Sequence, residues 1–395
     1  VSPAAGQQVA HRVENLPPHE LAHVLSVVRV KQAAGERVIS LVMGDPDLDP
    51  PPAATEALLA TLSEPGASRY PPLAGTLRLR QALAARIERR YGIALDPETE
   101  VLPVIGSKEG LAHLALAVLN AGDRALAPNP AYGMYRSATV LAGGEICLYP
   151  LDPNADWQPD RTALEAQAVG ARMLWLNYPN NPTSGSASAE MFGWVLDLAR
   201  RHDLLVVHDL AYGDVFYDPT DRPLSILQIE GARARSVEFH SLSKSYNMCG
   251  WRVGALVGSA EVVTAVRRLK LGVDNGIFLP IQAAAVAALA VDDDWIEQRN
   301  QVYRQRRDLI VGAWRSLGLP AANPKAGLYV WAGIPTGTTS QQFALDLLQR
   351  AGVAVVPGTG YGPAGEGYVR LSLTVPDAEL AEAMDRITTS IVASS

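Results

Sequence analysis

The sequence predicts an α/β fold, with a large domain built on a mainly parallel sheet flanked by helices and a smaller α+β domain. Three observations carry this expectation. Short apolar runs alternate with longer helical stretches through the middle of the chain, as for strands buried on both faces. After about residue 285 the order changes to a long helix, then strands, then further helices. The chain has 395 residues, 48 % hydrophobic and 19 % charged, enough apolar material for two cores.

Residues 46–52 are rich in proline and read as an extended entry linker. Residues 76–91 are strongly helical, with arginines expected on the outer face. The apolar run 101–105 resembles a strand, and 124–128, 171–177, 204–209, 237–242 and 253–258 read as strands. Helical stretches at 107–120 and 190–202 lie between them, which implies parallel crossovers. Beyond them come a helix at 295–317, strands at 327–331 and 368–373, and helices at 340–349 and 377–391. The expected division is residues 1–45 with the small domain, 46–285 as the large domain and 286–395 as the small C-terminal domain. Internal repeats and low-complexity tracts are absent from the sequence.

A net charge of −7 argues against broad nucleic-acid binding and against an anionic membrane surface. No apolar run approaches the length of a membrane span. Residues 1–8 show no apolar signal segment. The only cysteines, Cys147 and Cys249, make no disulfide framework, so a reducing, cytoplasmic setting is expected, with both as packed thiols.

The chemistry concentrates at expected strand ends, where open α/β sheets gather their ligands. Ser241-Leu242-Ser243-Lys244 follows one strand. A lysine there can form a Schiff base with an aldehyde cofactor once its amine is desolvated or set near other cations. Arg252, eight residues on, offers a fork to a phosphate, and the Ser241 and Ser243 hydroxyls can complete that shell. Gly106-Ser107-Lys108 opens a helix directly after a strand, and helix N-termini bind anions; Ser107 is expected as the N-cap. Asp209 ends another strand, with Tyr212 three residues on. A carboxylate there can keep a pyridine nitrogen protonated, and Tyr212 can meet the ring oxygen. Asn181 lies in a turn held by Pro179 and Pro182, and Tyr132 is placed to stack on a ring face.

Together these motifs resemble the class I/II aminotransferases of pyridoxal 5′-phosphate (PLP) fold type I, over nearly the whole chain. The resemblance implies that Lys244 carries the Schiff base and shuttles the substrate Cα proton. It implies that Asp209 meets the pyridine nitrogen, Asn181 and Tyr212 the ring oxygen, and Tyr132 the ring face. Ser107, Lys108, Ser241 and Arg252 would form the phosphate cup. Tyr70 would reach the phosphate of a neighbouring subunit in a homodimer. Arg370 would clamp the substrate α-carboxylate, with Asn181 and the Gly44 backbone beside it. Within the family the chain is most similar to the LL-diaminopimelate aminotransferase branch, through Asn15–Pro18, Gly44–Asp47, 103–110, 238–251 and 357–372. His19, Ser184-Gly185 and Cys249 depart from the usual pattern of that branch.

The expected reaction is ping-pong transamination between an amino acid and a 2-oxo acid such as 2-oxoglutarate. An alanine- or aspartate-type aminotransferase, a β-eliminating PLP lyase and a non-enzymatic PLP-binding regulatory module share the cofactor set. The last usually carries a DNA-binding segment, for which the stretch before Gly44 leaves little room. Other readings of single residues are plainer: Asp209 as a helix cap, Arg370 as a surface strand residue, Tyr70 packed on Pro71 and Pro72, Tyr132 in the core. His19-Glu20-Leu21-Ala22-His23 matches a zinc-protease pattern, but reads as an amphipathic helix, and no metal is expected. The glycine-rich run 358–363 is expected to be an irregular loop, since Pro363 follows it.

Overall fold

The computed structural model describes residues 9–17 and 20–392. Residues 1–8 and His19 therefore lie outside the described residues. The main sheet has eight strands: β1 (Val101–Val104), β2 (Arg124–Asn129), β3 (Glu145–Asp152), β4 (Gln158–Pro159), β5 (Ala171–Asn177), β6 (Leu205–Asp209), β7 (Ser236–Ser241) and β8 (Gly254–Gly258). Their spatial order is β1-β8-β7-β6-β5-β2-β3-β4. The central pairs β3–β2, β2–β5, β5–β6 and β6–β7 are parallel. Strand β8 runs antiparallel to both β7 and β1. The 242–253 connection returns the chain antiparallel beside β7. The loop consequently stays at the edge where β7 ends.

Register then fixes the site. Asn177 lies opposite Asp209, Asp209 opposite Phe239, and Ser241 opposite Gly254. Three neighbouring strands thus end together and bring the Asn181 turn, Asp209 and the Lys244 loop to one edge. The strands are apolar because helices cover both faces. Helices α1 (Leu77–Tyr91) and α2 (Ala189–His202) bury Leu79, Leu83, Phe192 and Leu196 on one face. Helix α3 (Ser107–Val118) buries Leu111 and Leu114 on the other, with Trp175 and Phe239. Each fully buried side chain of this size contributes about 1.5–3 kcal/mol.

A second layer holds an antiparallel sheet of β9 (Tyr329–Gly333), β10 (Val356–Pro357) and β11 (Tyr368–Ser372). Helices α4 (Asp293–Ser316) and α5 (Asp377–Val392) cover it, burying Tyr303, Trp314, Leu380 and Ile387. Trp314 satisfies its indole N–H on the Gly333 carbonyl at 2.8 Å. Ile39–Ser40 pairs in parallel with Val353–Ala354, and the Ser372 N–H donates to the Leu41 carbonyl. Residues 39–41 therefore extend the C-terminal layer and carry Gly44 towards the strand ends.

Several expectations need correction. Arg80 and Arg86 of α1 are buried, not on the outer face. Arg80 bonds the Pro97 carbonyl and Glu98, both at 2.7 Å. Arg86 bonds Asp214 at 2.9 Å and Asp293 at 2.8 Å. Charge pairing lets a guanidinium occupy an interior face. The proline-rich linker ends in a helix, Pro52–Leu62, because proline is well placed in a first helical turn. The helix expected at 340–349 is α-helical over Ser340–Asp346 and continues as a π-turn, Leu347–Ala351. Residues 358–365 form two short 3₁₀ turns, in keeping with the irregular loop.

Candidate active site

Lys244 sits in the single helical turn Leu242–Ser245 that follows β7. Buried Arg299 of α4 donates to the Lys244 carbonyl at 2.9 Å and to the Ser245 carbonyl, which fixes the turn from behind. The Lys244 Nζ donates to the Gly44 carbonyl oxygen and, at 3.0 Å, to Cys249 Sγ. Cys249 is half-buried, and burial raises its thiol pKa. It is a partner of Lys244, beyond the packed thiol expected. Cys147 is half-buried, in no disulfide, and accepts from Arg124 Nε at 3.4 Å.

The second group surrounds the start of α3. Gly106 is the N-cap with φ of 75°, and Ser107 is the first helical residue. The expectation that Ser107 caps this helix is wrong: Gly106 occupies that position, and the cap makes no side-chain bond. A Cβ on Gly106 would lie 2.1 Å from Arg252 Nη2, so only glycine lets the guanidinium close on the turn. Arg252 has φ of 59° and is held by a 2.7 Å bond to the Cys249 carbonyl and a 3.5 Å contact with Ser243 Oγ. Glu109 supports the turn by accepting the Ile105 N–H at 3.1 Å, while buried Lys270 bonds Glu109 at 2.8 Å. Ser241 is buried, Ser107 half-buried and Lys108 exposed. The result is a helix N-terminus beside a guanidinium, an arrangement suited to an anion such as phosphate.

Asp209 is the third group. Tyr135 donates to its Oδ2 at 2.8 Å, whereas its buried Oδ1 has no partner. Burial pushes this carboxyl up to about 6, against the opposing pull of the Tyr135 hydrogen bond. Asn177 locks the neighbourhood: its amide donates to the Asp209 carbonyl at 2.8 Å and accepts the Asn181 N–H at 2.7 Å. These bonds hold the backbone at the strand end, while Tyr135 holds the carboxylate. The cap role considered for Asp209 does not apply, because no helix begins there.

Arg370 completes the site from β11. It is buried, and no carboxylate pairs with it among the described residues. The surface reading is therefore wrong. Its Nη1 donates to Asn181 Oδ1 at 2.9 Å and its Nη2 to the Val42 carbonyl at 2.6 Å. Its guanidinium lies 3.9 Å from the Tyr329 ring centre and 4.9 Å from that of Tyr361. Val42 and Gly44 thus contact Arg370 and Lys244 respectively, two residues apart along one strand-like segment, a span of at most about 7 Å. An α-amino acid has comparable dimensions. A Cβ on Gly44 would lie 1.9 Å from Tyr329 Oη, which explains the glycine. Tyr212 shares a 3.0 Å hydrogen bond with Tyr329. Tyr132 is half-buried, edge-on to Tyr135 with 5.8 Å between ring centres. Tyr70 lies apart: it is 82 % exposed, so it is not packed on its proline neighbours.

The donor set fits PLP. The orphaned Asp209 oxygen suits a cationic ring nitrogen, and the Gly106–Arg252 cradle suits a phosphate. With Asn181 Oδ1 taken by Arg370, its amide N–H groups remain for a ring oxygen. Tyr135, Tyr329, Tyr361, Cys249 and Arg299 were missed in the sequence. Tyr135, close to Tyr132, and Cys249, five residues after Lys244, carried a local signal; the others reach the site through tertiary contacts.

Comparison with known proteins agrees. The family model for aminotransferase class I and II matches residues 36–387. An LL-diaminopimelate aminotransferase of Dehalococcoides mccartyi is 45 % identical over 381 residues, covering 96 % of this chain and 98 % of that protein. The substrate-bound structure of BacF from Bacillus subtilis superposes with a TM-score of 0.91 at 35 % identity, covering 97 % and 98 % of the two chains. A probable N-succinyldiaminopimelate aminotransferase from Thermus thermophilus gives 0.89 at 37 %, covering 94 % and 100 %. The chain belongs to the class I and II aminotransferases and is a PLP-dependent transaminase of fold type I.

Proposed function

We propose that this transaminase moves an amino group from LL-diaminopimelate to a 2-oxo acid, with 2-oxoglutarate as acceptor, in a ping-pong cycle. The observation that carries a shared amino-acid site is the buried Arg370 without an acidic partner. A buried guanidinium lacking a counter-ion is costly until an anion arrives. An α-carboxylate is the anion common to every donor and acceptor of transamination. The choice of donor is supported by the extended identity to LL-diaminopimelate aminotransferases.

Each residue then has a task. Arg370 binds the carboxylate, with Asn181 and the Gly44 backbone beside it, and so orients the substrate Cα towards Lys244. Lys244 takes the Cα proton. Asp209 holds the cofactor ring nitrogen in its cationic form. Asn181 and Tyr212 hold the ring oxygen, and Tyr132 covers the ring face. Ser107, Lys108, Ser241, Ser243 and Arg252 hold the phosphate. When bound, PLP supplies the electron sink that stabilises the developing Cα carbanion.

The enzyme works as a homodimer in this reading, with Tyr70 reaching the partner's phosphate; the exposure of Tyr70 supports it. Residues 46–285 form the cofactor-binding domain, and 1–45 with 286–395 form the small one, a division supported by the Ile39–Val353 pairing. Two free thiols support a cytoplasmic location. Among the described residues no helix is long and apolar enough to cross a membrane.

Single-turnover half-reactions test the donor. LL-diaminopimelate, glutamate, aspartate and alanine are each mixed with the PLP form, and the loss of its visible absorbance is followed. Rapid conversion by LL-diaminopimelate and glutamate is expected. Conversion by alanine or aspartate alone removes the proposed donor and leaves the transaminase. Release of ammonia without an acceptor reveals elimination instead.

A further inference from the structure

The bonds made by Lys244 Nζ have a consequence for how it acts as a base. A neutral amine has two N–H groups and one lone pair, and a general base must keep the lone pair free for the incoming proton. Two acceptors face Nζ here: the Gly44 carbonyl oxygen and Cys249 Sγ, the latter at 3.0 Å. Sulfur could in principle donate or accept. Its own proton has other destinations, because Cys249 Sγ lies 3.2 Å from the Ser243 carbonyl oxygen and the Asp45 side chain also bonds the thiol. A carbonyl and a carboxylate can only accept, so the thiol proton goes to one of them. Sulfur is left to accept from Lys244.

We infer that Cys249 is a positioning residue for Lys244: with the Gly44 carbonyl it occupies both N–H groups of the free amine and leaves the lone pair free to take the Cα proton. The inference rests on the reading of Lys244 as the proton carrier. Burial raises the thiol pKa and, with Asp45, outweighs the lowering pull of Lys244, so the thiol form is favoured in the cradle. The cradle operates when Lys244 is not bonded to the cofactor, which is when it must act as a base. Glycine at position 44 brings the backbone carbonyl close, since a side chain there would strike Tyr329.

The test compares C249A and C249S with the wild type. The Cα step is read from a half-reaction with protiated and Cα-deuterated glutamate. In addition, cofactor-free protein is labelled with acetic anhydride across pH, and modification at Lys244 is measured by peptide mass spectrometry. C249A should slow the Cα step about three- to tenfold, the loss expected for one modest hydrogen bond, and enlarge the isotope effect. Its Lys244 should also label faster, because one of the two groups that hold Nζ in place is gone. C249S should restore both properties, since a hydroxyl can donate and accept in the same way. Wild-type behaviour of C249A in both assays, with Lys244 still bearing the borohydride-trapped pyridoxyl group, overturns the cradle and leaves the proposed function standing. Failure of C249S to recover also overturns it. A trapped group on another lysine overturns both readings.

Discussion

Asp209 carries a buried carboxyl whose Oδ2 accepts from Tyr135 and whose Oδ1 has no close side-chain partner, with the Ala211 backbone nearby. Burial raises its pKa from 3.8 to about 6. An acid raised in this way binds its proton more tightly when folded than when unfolded. The cofactor-free protein therefore loses stability as pH climbs from about 4 to about 6, in total about 3 kcal/mol. The arrangement makes sense only if a cation later faces the carboxylate. D209N removes the charge while keeping the shape. Cofactor-free D209N should be more stable than wild type in urea at pH 8, by up to about 3 kcal/mol, with the gap closing towards pH 4. Lower stability of D209N at pH 8 would contradict this view of a site kept electrostatically incomplete. Arg370 mirrors Asp209 as a buried cation surrounded by tyrosines and amide oxygens rather than acids.

At the scale of elements, what the sequence made legible follows from burial. β5 and β6 read correctly because strands covered on both faces are continuous apolar runs. β3 escaped notice because it runs towards the sheet edge, with a mixed exposure pattern and Pro150 within it. The arginines of α1 misled for a different reason. Periodicity assigns charge to the solvent face, but Asp214 and Asp293 come from distant parts of the chain to pair with Arg86. The predicted site residues on the large sheet converge because they follow strands whose register aligns their ends. Tyr329 and Tyr361 were not legible, because flanking Arg370 depends on how β9 and residues 358–361 pack beside β11. Ser107 illustrates a local limit: serine is a favoured cap, yet the left-handed φ at Gly106 moves the helix start by one residue.

The whole molecule joins two layers through the site: Asp209 and Lys244 come from the large sheet, Arg370 and Gly44 from the layer that includes Ile39–Ser40. On its outside, Tyr70, Leu73 and Leu77 are exposed, as are Leu271, Val273 and Phe278. A Cβ placed on Gly276 would lie 3.6–3.7 Å from Pro71, Pro72 and Leu73, so the two segments run side by side. In the proposed homodimer these side chains would face the partner. If Tyr70 serves the partner's site, mixing Y70A chains with K244A chains should give hybrid dimers with activity above both parents. No recovery in verified hybrids would place Tyr70 in the service of its own chain. The account as a whole stands on Lys244, and the most direct measurement is borohydride reduction of the PLP-loaded enzyme followed by peptide mapping. The predicted result is one pyridoxyl-modified lysine, Lys244, with loss of the visible absorbance. A modified lysine elsewhere, or none, would contradict the account.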